Sequence, residues 1–208
     1  IWFPLRVIMS IFGVPKEDEP LMLKLTQELF GSTDPDVARS FEMMDIMNVV
    51  RDFEDYFAGL TRARRENPTD DVASVIANAE FDGRRLPEHE TNGYYMIIAT
   101  AGHDTTSSST AGGLLALIEN PMQMEMFRAD PDGLMSSAID EMIRWVSPVR
   151  HFMRTATEDT IVGDTKIRQG ESAILWYPSA NRDESIFDKP FEYRVDRSDA
   201  KQLAFGFG

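Results

Sequence analysis

One stretch of the sequence, residues 86–119, constrains the fold most, because polar residues interrupt its apolar helical pattern at the centre. Apolar side chains recur at helical spacing on both sides of the interruption. Pro87 suits the first turn of a helix, where a missing N–H does no harm, and the residue before Pro121 avoids the helical conformation. The centre, residues 101–110, reads AGHDTTSSST and holds six consecutive hydroxyl residues after an acid. Such a polar run inside an apolar helical segment needs an explanation.

The pattern leaves two interpretations of this stretch open. In the first, Asp104 or Thr105 is an N-cap and two ordinary helices flank a polar turn. In the second, one helix runs from about residue 87 to residue 119, and hydroxyls at its distorted centre bond back to carbonyls one turn earlier. Gly102 would then let a flat cofactor or a diatomic ligand approach the backbone. Asp104 and Thr105 would offer a carboxylate and a hydroxyl for moving protons.

Composition and charge narrow the function classes. The chain has 208 residues, of which 42% are hydrophobic, and this suffices for the core of one domain. With a net charge of −14, nucleic acids and membranes are not expected as partners. No apolar run reaches the length of about 18 residues that a membrane span needs. Residues 1–15 lack a basic leader and a cleavage site, so they are not expected to be a signal peptide, and the absence of cysteine fits a reducing cytoplasm.

Helical patterns dominate before residue 147, and short strand patterns follow residue 148. This order predicts a mainly α fold with a small β patch, in a single domain over residues 1–208. A stripe of methionine and aromatic side chains along the third helix, from Phe41 to Leu60, is interpreted as core. Helices are expected over residues 5–12, 16–30, 36–66, 72–78, 122–128 and 132–145, and strands within residues 160–167 and over residues 173–177.

An acid–arginine pair stands near the end of the last long helix. Glu141 and Arg144 are three residues apart, so their side chains share one helix face and can pair. A surface pair of this kind contributes only about 0–1 kcal/mol to stability. The spacing taken alone therefore favours a solvated helix face over a special role.

Motifs in a fixed order along the chain resemble those of the cytochromes P450, the haem-thiolate monooxygenases. AGHDTT at residues 101–106 resembles the oxygen-binding motif of that family's long central helix. The Glu141–Arg144 pair resembles the family's ExxR motif, HFMRTA at residues 151–156 its propionate-binding segment, and SANRDE at residues 179–184 its meander. LAFGFG at residues 203–208 resembles the opening of the haem-binding loop. Two departures are small: Glu184 replaces a common proline, and Tyr193 stands where phenylalanine is usual.

The resemblance implies a role for each matching residue. Thr105 would hydrogen-bond to oxygen during its activation, and Asp104 would relay protons from solvent. Arg154 would pair with a haem propionate, as the planar fork of an arginine suits a carboxylate. The remaining roles are haem contact for Ala101, Gly102 and Phe205, substrate contact for Ile97, Thr100 and Val149, and structural support of the haem core for Glu141, Arg144 and Arg197.

The resemblance also implies cofactors and partners. The complete protein would bind haem b, use dioxygen, and take electrons from a ferredoxin-type or flavin donor. Soluble bacterial members that hydroxylate terpenes are the most similar, so a small apolar substrate is expected. The ligand cysteine would follow about four residues after Gly208, as the motif spacing implies. Because these 208 residues contain no cysteine, they are expected to be inactive alone.

Two other functions are considered. Adjacent His103 and Asp104 would suit a metal-dependent phosphohydrolase, but such sites need several ligands. The chain has only two further histidines, His89 and His151, and neither adds a second pair at ligand spacing. The other alternative is an inert helical scaffold or interaction fragment with no catalytic activity.

Overall fold

The computed structural model describes residues 2–31, 34, 36, 38–40, 42–198 and 201–206. Within them the chain is mainly helical, with three two-stranded antiparallel sheets, so the predicted fold class is confirmed. The chain divides into two compact units, Ile1–Thr106 and Ser107–Gly208. Each unit is described by itself.

The first unit is formed by helices and one short hairpin. Its third helix begins at Met43, not at Asp36 as predicted, and Pro35, Val37 and Phe41 lie outside the described residues. The elements are α1 (Trp2–Phe12), a 3₁₀ turn (Lys16–Asp18), α2 (Glu19–Phe30), α3 (Met43–Glu66), α4 (Val72–Ala77), β1 (Glu80–Phe81), β2 (Arg84–Arg85), α5 (Glu88–Ala101) and the first turn of α6 (Asp104–Glu119).

Aromatic rings form the centre of the first unit's core. Phe12 meets Tyr95 edge to face, with ring centroids 5.0 Å apart, and meets Phe57 at 5.6 Å. Edge-to-face pairs of this kind each add about 0.5–1.5 kcal/mol beyond the burial of their area. The predicted core stripe of α3 holds in its later turns, where Phe53 and Phe57 are fully buried. It fails in the first turns, where Met44 and Met47 are exposed.

Arg64 ties three segments of the first unit together. Its Nε donates to Asp71 Oδ2 at 2.8 Å, and its Nη2 donates to the carbonyl of Gly13 at 2.7 Å. Asp71 also caps α4 by accepting from the N–H of Ser74 at 2.7 Å. Gly13 has φ +77°, the left-handed conformation that favours glycine after a helix. Arg64 therefore links α3 to the turn after α1 and to the start of α4.

The second unit has its own smaller core, in which Ala116 and Leu117 of α6 pack with Ala138 and two residues of the irregular C-terminal segment, Tyr193 and Val195. Its elements are the rest of α6, α7 (Pro121–Ala129), α8 (Pro131–Val146), β3 (His151–Thr155), β4 (Thr160–Val162), β5 (Thr165–Ile167), β6 (Ser172–Trp176) and α9 (Tyr177–Ala180).

The strands of the second unit form two separate ribbons. β4 and β5 pair around a turn at Gly163, within residues 160–167, where the sequence predicts strands. β6 ends at Trp176, one residue earlier than predicted, and pairs with β3, which the sequence did not identify as a strand. In that pair His151 lies opposite Trp176, and their rings stack with centroids 5.4 Å apart.

Candidate active site

The apolar segment with a polar centre is interrupted where its polar run begins. α5 ends at Ala101 and α6 begins at Asp104, with Gly102 and His103 in a turn between them. The expected single helix over about residues 87–119 is therefore wrong in detail, because the predicted distortion is a complete interruption. The predicted back-bonding is present: the Thr105 hydroxyl donates to the Ala101 carbonyl at 2.7 Å. This bond supplies a partner for a carbonyl at the end of α5, where helical partners run out.

Gly102 is held by packing within the first unit. A Cβ at this position would lie 2.6 Å from Ile8 Cδ1, which is closer than real side-chain contacts allow. Its φ of −84° is accessible to any residue, so backbone strain does not require glycine here, and a side chain at this position would require Ile8 to move. The approach of a cofactor or diatomic ligand to Gly102 stays a prediction, and the neighbour that the structure shows there is Ile8 of α1.

His103 and Asp104 contact each other at the interruption. His103 is fully buried, and its Nδ1 lies 3.2 Å from Asp104 Oδ1, whereas the Asp104 side chain is 37% exposed. No group of three or more histidine, cysteine, aspartate or glutamate side chains suited to a metal occurs among the described residues. The ligand set that a phosphohydrolase would need is absent from this part of the chain.

The predicted substrate contacts differ in their surroundings. Ile97 is 56% exposed, and Ala101, one turn later on α5, is exposed as well. These two side chains form an accessible apolar strip beside the interruption. Thr100 is 3% exposed, and its hydroxyl donates to the Met96 carbonyl at 2.7 Å, so it does not belong to this strip. Val149 is half-buried and belongs to the second unit.

In the second unit, Glu141 and Arg144 form a buried ion pair on α8. Each is 1% exposed, and Arg144 donates to both carboxylate oxygens at 2.6 and 2.8 Å. The solvated helix face that the spacing alone favours is therefore wrong. Arg197 joins the pair, since its Nε donates to Glu141 Oε2 at 2.9 Å. The backbone N–H of Arg194 adds a fourth hydrogen bond, to Oε1 at 2.9 Å.

Arg144 and Arg197 also bind backbone carbonyls of an irregular segment, residues 181–192. Arg144 donates to the carbonyls of Asn181 at 2.6 Å and Pro190 at 2.9 Å. Arg197 donates to those of Asp188 at 2.6 Å and Glu192 at 2.9 Å. Buried carbonyls outside helices and sheets need such partners. The arginines therefore hold residues 181–192 in place against α8.

Asn181 is a site residue to which the sequence analysis assigns no role. It is fully buried, and its Nδ2 donates to the Ser147 hydroxyl at 2.9 Å. Its Oδ1 accepts the backbone N–H of Leu203 at 2.8 Å. Asn181 thus joins the end of α8 to the segment resembling the haem loop. The sequence feature that could have identified Asn181 is its position inside the meander motif, between Ser-Ala and Arg-Asp. No sequence pattern reveals its hydrogen-bond partners.

Arg154 and Phe205 are both open to solvent within the second unit. Arg154 lies on the exposed strand β3, and its Nη1 donates to the carbonyl of Met153 at 3.2 Å. Phe205 is 78% exposed. Gly206 follows with φ +78°, and a Cβ there would lie 2.6 Å from the Tyr177 hydroxyl. Phe207 and Gly208, the last residues of the loop motif, lie outside the described residues.

Comparison with known proteins decides the family. The model of the family described as Cytochrome P450 matches residues 11–208. The chain belongs to the cytochrome P450 family. Among curated relatives, cytochrome P450-terp of Pseudomonas sp is 45% identical over 216 residues, covering 100% of this chain and 50% of that protein. A methyl-branched lipid omega-hydroxylase of Mycobacterium tuberculosis is 38% identical, covering 99% of this chain and 47% of that protein.

Solved P450 structures share the fold. CYP108D1 from Novosphingobium aromaticivorans is 47% identical with a TM-score of 0.84, covering 99% of this chain and 48% of that chain. Mycobacterium marinum CYP268A2, solved in complex with pseudoionone, is 32% identical with a TM-score of 0.88, covering 98% of this chain and 49% of that chain. The P450 chain thus spans about half the length of the relatives it matches. Among its described residues, no helix combines the length and apolarity needed to cross a membrane.

Proposed function

We propose that this chain is a segment of a haem-thiolate monooxygenase that hydroxylates a small apolar, terpene-like substrate with dioxygen and two electrons. A ferredoxin-type or flavin protein supplies the electrons, haem b is the cofactor, and the enzyme works in the cytoplasm. The similarity to cytochrome P450-terp and to the pseudoionone-bound P450 supports this substrate class. So does the methyl-branched lipid hydroxylase, because its substrate is also apolar.

The residues of each unit suit a haem. Arg154 stands on an exposed strand with its guanidinium open to a partner, and a propionate carboxylate would complete a bidentate pair there. Phe205 and Gly206 present an exposed ring and a left-handed turn at the segment that would carry the haem loop. In the first unit, Ala101 and Gly102 add no bulk beside the interruption of the helix. When bound, thiolate-ligated haem supplies the activation of dioxygen.

The interrupted helix carries the catalytic proposal. The Thr105 hydroxyl donates its hydrogen bond to the Ala101 carbonyl. The lone pairs of its oxygen therefore stay available to accept a hydrogen bond. The Asp104 carboxylate, at 37% exposed, touches both solvent and the protein interior. It can therefore take a proton from water and pass it inward, while Thr105 orients the accepting group. The single observation that supports this function best is the placement of these two side chains at the interruption.

The arginine–glutamate network has a supporting role in the proposal. Glu141, Arg144 and Arg197 are all buried and bind one another and the backbone of residues 181–192. They hold the segment that leads to the haem loop and take no part in proton transfer. Ile97 is the predicted substrate contact with the most exposed surface in its unit.

The test uses the protein produced from the complete gene. We expect its ferrous carbon monoxide complex to show the red-shifted Soret band of thiolate ligation, and we expect hydroxylated product from small cyclic terpenes. Asp104→Asn should lower product formation about 100-fold, the usual contribution of a positioned proton donor. Exposed Asp82→Asn, on the β1–β2 turn, is the control and should not change it. No thiolate-type band from the complete protein would refute the proposal.

A separate measurement tests the proposed inactivity of the 208-residue segment. Because this segment contains no cysteine, we expect it to give no thiolate-type Soret band when mixed with haem. Appearance of such a band would contradict the inactivity but not the function of the complete enzyme. An inert scaffold would give neither the band nor the product in either form.

A further inference from the structure

The contact between His103 and Asp104 depends on the interruption of the helix. In a regular helix, side chains of consecutive residues point about 100° apart and do not face each other. His103 lies in the turn between α5 and α6, and this placement brings its Nδ1 to 3.2 Å from Asp104 Oδ1. The interruption thus sets an imidazole beside the carboxylate.

The two side chains differ sharply in freedom. His103 is fully buried, so its ring is confined by the groups around it. Asp104 is 37% exposed, and an aspartate with that much access to water can adopt several rotamers unless a neighbour restrains it. The 3.2 Å approach of Nδ1 to Oδ1 is an ion-pair distance and not a hydrogen bond of standard geometry. A confined ring at this distance from a mobile carboxylate restricts the positions that the carboxylate can take. A neutral imidazole with its proton on Nδ1, and the imidazolium, both present a positive N–H toward the carboxylate and attract it.

We propose that His103 is a positioning residue that holds the Asp104 carboxylate in one rotamer, with Oδ1 against the imidazole and Oδ2 left to exchange protons with solvent. This inference rests on the proposed proton relay through Asp104. His103 itself neither donates nor accepts the transferred proton. His103 affects the reaction by increasing the fraction of time that the Asp104 carboxylate spends in the rotamer from which a proton can pass inward.

Three substitutions in the complete haem enzyme test the role. His103→Leu keeps an apolar bulk but removes both nitrogens. His103→Asn places an amide N–H near the position of Nδ1, whereas His103→Gln places one near the position of Nε2. His89→Leu, an exposed histidine on α5, is the control. The readouts are product formed per pair of electrons consumed, the solvent deuterium isotope effect, and the Asp104 rotamer in crystal structures of the variants.

We expect His103→Leu and His103→Gln to lower product per electron pair about threefold to tenfold, the size expected for loss of one polar contact to a part-exposed carboxylate. His103→Asn should retain most of the wild-type ratio, and His89→Leu all of it. Crystals of the Leu and Gln variants should show Asp104 in a new rotamer or in more than one. If His103→Leu does not bind haem, the Asn and Gln variants still decide the matter.

The inference is wrong if Asn and Gln variants have equal ratios and isotope effects, or if Asp104 keeps its rotamer in both. These outcomes are distinct from failure of the proposed function. The proposed function fails if Asp104→Asn leaves turnover unchanged, or if the complete protein lacks the thiolate-type band. Even then, the Asp104 rotamers in the crystal structures still test whether His103 positions the carboxylate.

Discussion

Tyr193 offers a sharp test of how hydrogen bonding controls stability in this chain. It stands where the family usually has phenylalanine, and its hydroxyl is buried with no partner among the described residues. The residue is 3% exposed, and burial together with the nearby Glu141 carboxylate raises the pKa of its phenol to about 12. The group is therefore a protonated, uncharged hydroxyl at neutral pH. Tyr193→Phe removes that hydroxyl and keeps the ring.

The expected effect is a gain in stability. A buried hydroxyl without a partner costs about 1–3 kcal/mol in lost hydration, while the contacts of one oxygen atom return only a few tenths. The edge-to-face contact between Tyr193 and Trp145, with centroids 5.6 Å apart, involves the ring and survives the substitution. We therefore expect Tyr193→Phe to raise the free energy of unfolding by about 1 kcal/mol.

Tyr95 provides a matched control with the opposite sign. It is equally buried, at 0% exposed, but its hydroxyl donates to the carbonyl of Ala73 at 2.8 Å. Tyr95→Phe deletes the same atom and should lower the free energy of unfolding by about 1 kcal/mol, the usual net value of such a bond. The two substitutions are chemically identical, so the difference of about 2 kcal/mol isolates hydrogen bonding.

Urea unfolding of the complete protein, followed by circular dichroism, measures both values from the midpoint and slope of each transition. A protein with a bound cofactor need not unfold in two states, so wild type and variants are compared at matched haem content. Destabilisation by Tyr193→Phe comparable to that by Tyr95→Phe would show that the Tyr193 hydroxyl has a partner after all, and would refute the reasoning.

Three further predictions concern other parts of the chain. Glu141→Gln leaves two buried arginines without their carboxylate and should lower the free energy of unfolding by about 3–5 kcal/mol. The measurement is the yield of haem-binding protein on expression, which should fall, and a normal yield would contradict the prediction. For Asp71, burial raises the pKa, but hydrogen bonds from Thr69, Ser74 and Arg64 outweigh it and lower the pKa. Its stabilising contribution is complete above the unfolded pKa of about 3.9 and is lost as pH falls through the lower folded value. The stability difference between wild type and Asp71→Asn should therefore shrink in acid, and a constant difference would contradict the assignment. Gly113→Ala places a Cβ 2.5 Å from Met142 Cγ and should lower the free energy of unfolding by about 1–3 kcal/mol. At Gly59 an added Cβ meets no atom within 4 Å, so Gly59→Ala should not destabilise the protein. Thermal melting of the two variants compares their stabilities.

The fold class could be predicted from sequence because it depends on local periodicity. Helices with strong apolar stripes, such as α8, were found within one or two residues of their ends. The start of α3 was not, because Phe41 stands in helical register with Met44 and Met47 in the sequence, although the helix begins only at Met43. Met44 and Met47 are exposed, while Phe53 and Phe57 later in the same pattern are buried. Periodicity identifies apolar side chains but does not say which turns have a neighbour to pack against.

The residues of the candidate site could be predicted by type, but most of their partners could not. The i, i+3 spacing shows that Glu141 and Arg144 can pair, yet it favours an exposed pair. Their burial depends on the irregular segment 181–197, which folds back and supplies carbonyls and Arg197. Those contacts join residues 37–56 positions apart in sequence, and no local pattern encodes them.

The interruption of the central helix shows why a motif can be visible in sequence while its geometry is not. Two independent forces produce it. From outside, the end of the Ile8 side chain fills the space where a side chain at residue 102 would stand, so a larger residue would require Ile8 to move. From inside, the Thr105 hydroxyl binds the Ala101 carbonyl and offers the backbone an alternative to the helical bond. Glycine weakens the helix at the point where the hydroxyl competes with it. The break therefore lies at Gly102 and His103, and the acid and the hydroxyl follow directly after it, the hydroxyl bound to the last carbonyl of α5.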